Sequence, residues 1–193
     1  FKMVHHLVTG TEFMADYYAE RYPIKRETIK VLPNYINLER FNPADVDPCC
    51  IRRKLKISNE TKVVLYLHEI EEGRASLLPE IIDKTLSQRE DTEFIIAGDG
   101  RYSGELKARL ANHVATQKVH FVGRVPNTDT PLYYACADVY IMTSNFEAFS
   151  RVLLEAMAME TPYVATDGGG NIRTYTPPDH QDYIFETSEM DQF

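Results

Sequence analysis

From Thr61 onward, short apolar runs alternate with longer stretches in which apolar residues recur at helical spacing. Val63-Val64-Leu65-Tyr66-Leu67 is apolar throughout, as a parallel strand buried on both faces requires. The pattern then predicts a helix from about Ala75 to Gln88, a strand over Glu93-Phe94-Ile95-Ile96-Ala97, the turn Gly98-Asp99-Gly100 and a helix across Gly104 to Val114. A third strand over Val119-His120-Phe121-Val122-Gly123 follows, then a short helix from Thr130 to Ala137 and a strand from Asp138 to Met142. Val152, Leu153, Ala156, Met157 and Met159 give the next helix, Phe149 to Met159, a broad apolar face; Pro162 ends it and opens the strand Tyr163 to Thr166. This alternation predicts an α/β fold, a doubly wound parallel Rossmann-like sheet with helices on both faces, over about Val63 to Ile184.

The first residues carry a weaker pattern. Val4 to Thr9 reads as a strand, Thr11 as the cap of a helix from Glu12 to about Tyr22 bearing Phe13, Tyr17 and Tyr18, and Ile29-Lys30-Val31-Leu32 as another strand. The stretch from Pro33 to Pro43 is turn-rich and reads as a linker, so residues before about Asn37 are expected to pack as a separate piece. His5 and His6, adjacent on a strand, point to opposite faces and read as structural.

Composition narrows the function. At 44% hydrophobic residues the chain is globular, and a formal charge of -8 disfavours general nucleic-acid binding. Its longest basic run, Ile51-Arg52-Arg53-Lys54-Leu55-Lys56, reads as the solvated face of a helix. Cys49, Cys50 and Cys136 make neither a metal-ligand pattern nor a disulfide framework, which points to a reducing interior. No apolar run approaches the roughly 18 residues of a spanning helix. The abrupt opening at Phe1 and the close at Phe193 read as those of a piece of a longer protein.

In a doubly wound sheet, ligands bind beyond the carboxyl ends of the strands. The loops concerned are 68–74, 98–101, 123–127, 144–150 and 167–171. Glu147 and Glu155 stand eight positions apart in the strand-loop-helix unit from Thr143 to Pro162. Eight helical residues rise about 12 Å, close to the length of a nucleoside diphosphate. An acid inside the helix can accept both hydroxyls of a ribose diol, while the amides of Phe149, Ser150 and Arg151 at the helix start can face phosphate oxygens. The plainer alternative makes Glu147 a helix cap and Glu155 a solvated surface acid.

The run Ser144-Asn145-Phe146-Glu147-Ala148-Phe149-Ser150-Arg151-Val152-Leu153-Leu154-Glu155-Ala156-Met157-Ala158 resembles the signature of family 4 of retaining, nucleotide-sugar-dependent glycosyltransferases, whose domains have the GT-B fold. Further resemblances lie in Pro33-Asn34-Tyr35-Ile36-Asn37 through Phe41 and Pro43, in Ala97-Gly98-Asp99-Gly100 and in Phe121-Val122-Gly123-Arg124-Val125. The likeness implies that Glu147 sits by the donor sugar as the catalytic-site acid and Glu155 holds the ribose. It implies that the loops of Gly98, Gly123 and Arg124 flank the donor nucleotide, and that Arg74 acts with the amides of Phe149, Ser150 and Arg151 on the phosphates. Three departures stand out. His68-Glu69 occupies the place of the family's Gly-Arg, leaving three acids, Glu69, Glu71 and Glu72, near the diphosphate; Glu160 takes a helix-ending Gly position that needs positive φ; and Arg173 replaces a Glu after Gly169 and Gly170.

The resemblance thus implies that residues 1–43 are the end of an N-terminal acceptor domain with the interdomain linker, and residues 44–193 a donor-binding domain. It implies retaining transfer of a hexose from a nucleotide diphosphate sugar, with no cofactor and no essential metal. The acceptor, a sugar or glycolipid, would be held mainly by the missing domain. Location would be cytoplasmic, with peripheral association of the full-length protein at the inner membrane face. A non-catalytic relative kept for partner binding is the alternative that Glu69, Glu160 and Arg173 favour. A nucleotide-sugar epimerase of the same architecture is a third, against which the continuation Phe149-Ser150-Arg151-Val152 argues.

Overall fold

The computed structural model describes residues 6–168 and 172–186. Val4, His5 and the stretch 169–171 of the last loop lie outside the described residues, and His6 is exposed. Strand β1 (Leu7–Thr9) pairs in parallel with β2 (Ile29–Val31) in a two-stranded sheet of its own. Helix α1 (Glu12–Arg21) connects them and is capped as expected, the Thr11 hydroxyl accepting from the Met14 amide.

Among the described residues the main sheet has six strands. The chain enters at its middle with β3 (Lys62–Leu67), steps outward through β4 (Thr92–Ala97) to β5 (Val119–Gly123), then returns to the other flank of β3 with β6 (Val139–Met142). From there it continues outward to β7 (Tyr163–Thr166) and β8 (Ile184–Phe185), and every pairing is parallel. Alternate residues of each strand serve opposite faces. Val63, Leu65 and Leu67 join Tyr140, Leu153 and the linker residue Phe41 in one core, whereas Tyr66, Phe94 and Ile96 join Leu78, Ile82 and Leu106 in the other. Phe41 packs against Tyr134 at 6.5 Å between ring centroids, which docks the linker on the main sheet.

The helices are α2 (Cys49–Leu55), α3 (Glu72–Ala75), α4 (Leu78–Gln88), α5 (Ser103–Arg109), α6 (Ala111–Ala115), α7 (Thr130–Cys136) and α8 (Arg151–Ala158). Where one helix was expected over 75–88 there are two, because Pro79 has no amide to continue a helix and instead opens α4. The helix expected over 104–114 is likewise divided at Leu110, whose backbone leaves helical geometry. α8 starts later than Phe149 because the hydroxyl of Ser150 caps it by accepting from the Leu153 amide at 3.3 Å. Glu160 has φ 55°, the left-handed conformation expected of its position.

One expectation is corrected. Arg52 does not belong to a solvated face: its side chain is 11% exposed and clamps α2 to the sheet. Nε donates to the Cys136 carbonyl at 3.0 Å, Nη1 to that of Thr61 at 2.8 Å, and Nη2 pairs with Asp138 Oδ2 at 2.7 Å. Asp138 also accepts from the Val63 amide at 2.8 Å. Burial works to raise the pKa of Asp138, but these bonds outweigh it and hold the carboxyl below its usual range.

Candidate functional site

Strand order reverses between β3 and β6, so the crevice of the sheet opens between the loops that leave those strands. The loop after β3 is fixed from both sides. Toward β4, the amide of Ile70 donates to the Asp99 carbonyl at 3.0 Å and the Tyr102 amide to the Ile70 carbonyl at 3.1 Å. Toward β6, the Asn145 amide donates to the Gly73 carbonyl at 2.8 Å and the Thr143 hydroxyl to that of Arg74 at 2.5 Å. Gly98, at φ 144°, permits this approach: a Cβ there would lie 1.9 Å from the His68 carbonyl oxygen.

Four side chains converge in the crevice. Glu147, 8% exposed, accepts at Oε1 from the Ser144 hydroxyl at 3.0 Å and lies 3.1 Å from His68 Nε2 and 3.8 Å from Arg74 Nε. Burial works to raise its pKa, yet the His68 hydrogen bond, the Arg74 charge and the Ser144 hydroxyl together hold it below the usual carboxyl range. Arg74 is itself engaged, with Nη1 3.1 Å from Glu69 Oε2 and 3.2 Å from His68 Nδ1. Glu69 therefore pairs with the neighbouring cation. Glu71 accepts from the Arg101 amide at 3.1 Å and Glu72 is exposed.

Glu155 is 5% exposed, so the reading of it as a solvated surface acid is corrected. It lies on the face of α8 that packs against α7, where the Tyr134 hydroxyl stands 3.1 Å from Oε2 and 3.0 Å from the Val152 carbonyl. Oε1 accepts from no group among the described residues, so one carboxyl oxygen is engaged and one remains. Burial pushes its pKa up, more than Tyr134, Arg151 and Arg40 lower it. Ser150 caps α8, which corrects the reading of Glu147 as the cap. The Ser150 amide is also taken, donating to the Tyr175 hydroxyl at 3.0 Å, and the Tyr175 ring stacks on Phe149 at 4.6 Å.

A cleft of about 500 Å³ adjoins these groups, lined by His68, Glu69, Gly98, Arg124 and Val152 among others. Two of the expected residues, Gly98 and Arg124, thus share one wall. Gly123 sits behind it at φ 72°, its carbonyl accepting from the Gly98 amide at 2.8 Å. Glu147 and Arg74 form the adjoining cluster, whereas Phe149 lines a separate 270 Å³ pocket with Thr11 and Phe13 of the N-terminal segment. Arg151 is exposed. A larger cavity of about 650 Å³ lies at the other end of β6 and β7, walled by Val139, Met157, Val164 and Tyr183. Its lining is mostly apolar, with Glu160 and His180 in place of the paired buried acids. Arg173 is structural: it lies 3.5 Å from Asp167 and donates to the carbonyls of Gln181 and Ile184.

Sequence reasoning did not single out His68, Tyr134 or Tyr175. A lone His after a strand and two Tyr in apolar surroundings carry no periodic signal. For His68, the one available signal was its standing where the family has Gly.

The family model described as "Glycosyl transferases group 1" matches residues 50–193. The chain is 31% identical, over 89% of its length and 37% of the relative's, to the phosphatidylinositol N-acetylglucosaminyltransferase GPI3 subunit of Saccharomyces cerevisiae. It is 30% identical, over 95% of its length and 51% of the relative's, to a GDP-mannose-dependent monoacylated alpha-(1-6)-phosphatidylinositol monomannoside mannosyltransferase of Corynebacterium glutamicum. The chain thus spans between about a third and a half of these relatives. Its fold matches that of Anabaena HepE, solved in complex with UDP and glucose, at TM-score 0.77 and 22% identity, over 91% of this chain and 48% of that one.

Proposed function

Since the chain belongs to the group 1 glycosyl transferases, we propose that it forms the donor-nucleotide half of a two-domain enzyme that moves a hexosyl group from a nucleotide diphosphate sugar with retention of configuration. The observation that carries this reading is the pair of buried acids at the switch point of the sheet, Glu147 and Glu155, held in opposite electrostatic conditions beside a 500 Å³ cleft. That volume falls within the range of small-molecule sites.

In this reading Glu147 stays ionised and orients the donor sugar, and the remaining oxygen of Glu155 takes the ribose diol. Arg124 and the loop of Gly98 flank the nucleotide. Charge developing on the departing diphosphate is met by Arg74, which exchanges Glu69 for phosphate, and by the amides of Phe149 and Arg151. The Ser150 amide joins them once Tyr175 moves aside. No metal is assigned a part. The acceptor, a sugar or a glycolipid, is held mainly by protein outside residues 44–193, with residues 1–43 belonging to that other domain. No helix among the described residues is long and apolar enough to cross a membrane; a glycolipid acceptor would bring the whole protein to the inner membrane face from the cytoplasm.

Calorimetric titration with UDP, GDP and ADP tests the reading. It expects one of the three to bind at micromolar to low millimolar concentration and so to name the base. Absence of binding by all three at millimolar concentration removes the donor role and leaves the partner-binding alternative in its place.

A further inference from the structure

We propose that His68 is a positioning residue for Glu147, acting as a neutral imidazole whose Nε2 proton fixes the carboxylate that faces the donor sugar. The inference rests on the donor-site reading above and deepens it. It starts from hydrogen-bond chemistry. Nδ1 of His68 lies 2.8 Å from the Glu69 amide nitrogen and 3.2 Å from Arg74 Nη1. A backbone amide and a guanidinium can only donate, so Nδ1 must present its lone pair. The ring proton therefore sits on Nε2, which points at Glu147 Oε1 from 3.1 Å. A doubly protonated ring would set an N–H against two N–H donors, so the surroundings select the neutral tautomer that donates to Glu147.

The ring is held at both nitrogens, Nδ1 by the Glu69 amide and Arg74 and Nε2 by Glu147. The backbone that carries it is fixed as well, since the His68 amide donates to the Ala97 carbonyl at 3.1 Å and Gly98 packs directly on the His68 carbonyl. His68 also lines the 500 Å³ cleft while its side chain remains 12% exposed, so it joins the cleft wall to the Glu147 cluster. The sugar end of a bound donor would thus meet a carboxylate whose orientation is set by a group already in place.

The test compares His68→Gln, His68→Asn and His68→Ala in the protein that carries this chain, with UDP, UDP-glucose, GDP and GDP-mannose as calorimetric probes. The Gln amide nitrogen reaches about where Nε2 stands; the Asn amide stops near Nδ1. We expect His68→Asn and His68→Ala to weaken the sugar nucleotide about tenfold more than the matching nucleoside diphosphate. His68→Gln should recover most of the loss, and nitrogen NMR of the wild-type ring should show the Nε2–H tautomer at neutral pH. Equal losses for nucleotide and sugar nucleotide, no loss in His68→Asn, or an Nδ1–H tautomer overturns the proposal while leaving the donor site intact. A wild-type protein that binds none of the four probes ends the donor-site reading and the positioning role with it.

Discussion

Replacing Glu155 by Gln should make the protein more stable and a poorer nucleotide binder at the same time. The carboxyl is 5% exposed, with Tyr134 as its one hydrogen-bond partner among the described residues, and burial raises its pKa. An acid whose pKa is raised by folding contributes most to stability below its unfolded value of about 4.3 and loses that contribution as pH rises through the folded value. The neutral Gln escapes the loss. Each unit of pKa corresponds to about 1.4 kcal/mol, and in a domain of this size 1 kcal/mol moves Tm by about 2–4 °C. Glu155→Gln should therefore melt above wild type at pH 7.5, with the gap closing below about pH 4. Ribose binding moves the other way, because an anionic acceptor lost from a diol costs about 1–3 kcal/mol, or roughly 5- to 150-fold in affinity. Calorimetric melting across pH and nucleotide titration read the two effects separately. A variant less stable than wild type at pH 7.5, or one with unchanged nucleotide affinity, would refute the reasoning.

Glu147 should show the opposite pH signature, since its partners lower its pKa: Glu147→Gln is expected to cost about 1.5–3 kcal/mol near neutrality, fading as pH falls through the folded pKa, and a cost that persists in acid counts against the assignment. Glu160→Gly relieves a left-handed residue at φ 55° and should add about 1 kcal/mol in a denaturant titration; a loss of stability contradicts it. Glu69→Arg removes the acid that pairs with Arg74 and adds a cation, and at about 6 Å with an effective dielectric near 40 each unit interaction is about 1.4 kcal/mol, so diphosphate binding should tighten about tenfold or more. Unchanged binding would show that Arg74 does not reach the phosphates.

Much of this was legible in the chain. Val63-Leu67 is apolar at consecutive positions because both faces of the sheet are covered, whereas its place between β4 and β6 follows only from the pairing of the strands. Glu160 was legible too, from a position that calls for positive φ. The errors have physical causes. Arg52 looked solvated because a run of basic residues hides which of them faces the sheet, and only the tertiary partners Asp138, Thr61 and Cys136 reveal its clamp. The division at Pro79 was available in principle, since proline opens a helix more readily than it continues one. His68, Tyr134 and Tyr175 act through partners far away in sequence, among them Glu147, Glu155 and Ser150, and local spacing cannot show such pairs.

The central claim is that a nucleoside diphosphate lies at the carboxyl ends of the strands, between Glu155 and the Glu147 cluster. A crystal structure of the chain with the tightest-binding of UDP, GDP and ADP tests it most directly. The account predicts the ribose hydroxyls on the free oxygen of Glu155, the diphosphate at the start of α8 with Arg74 turned from Glu69 toward it, and the base in the cleft beside Arg124 and Gly98. A nucleotide seated instead at the other end of β6 and β7, in the apolar cavity of Met157 and Tyr183, or one bound without contact to either glutamate, would contradict it.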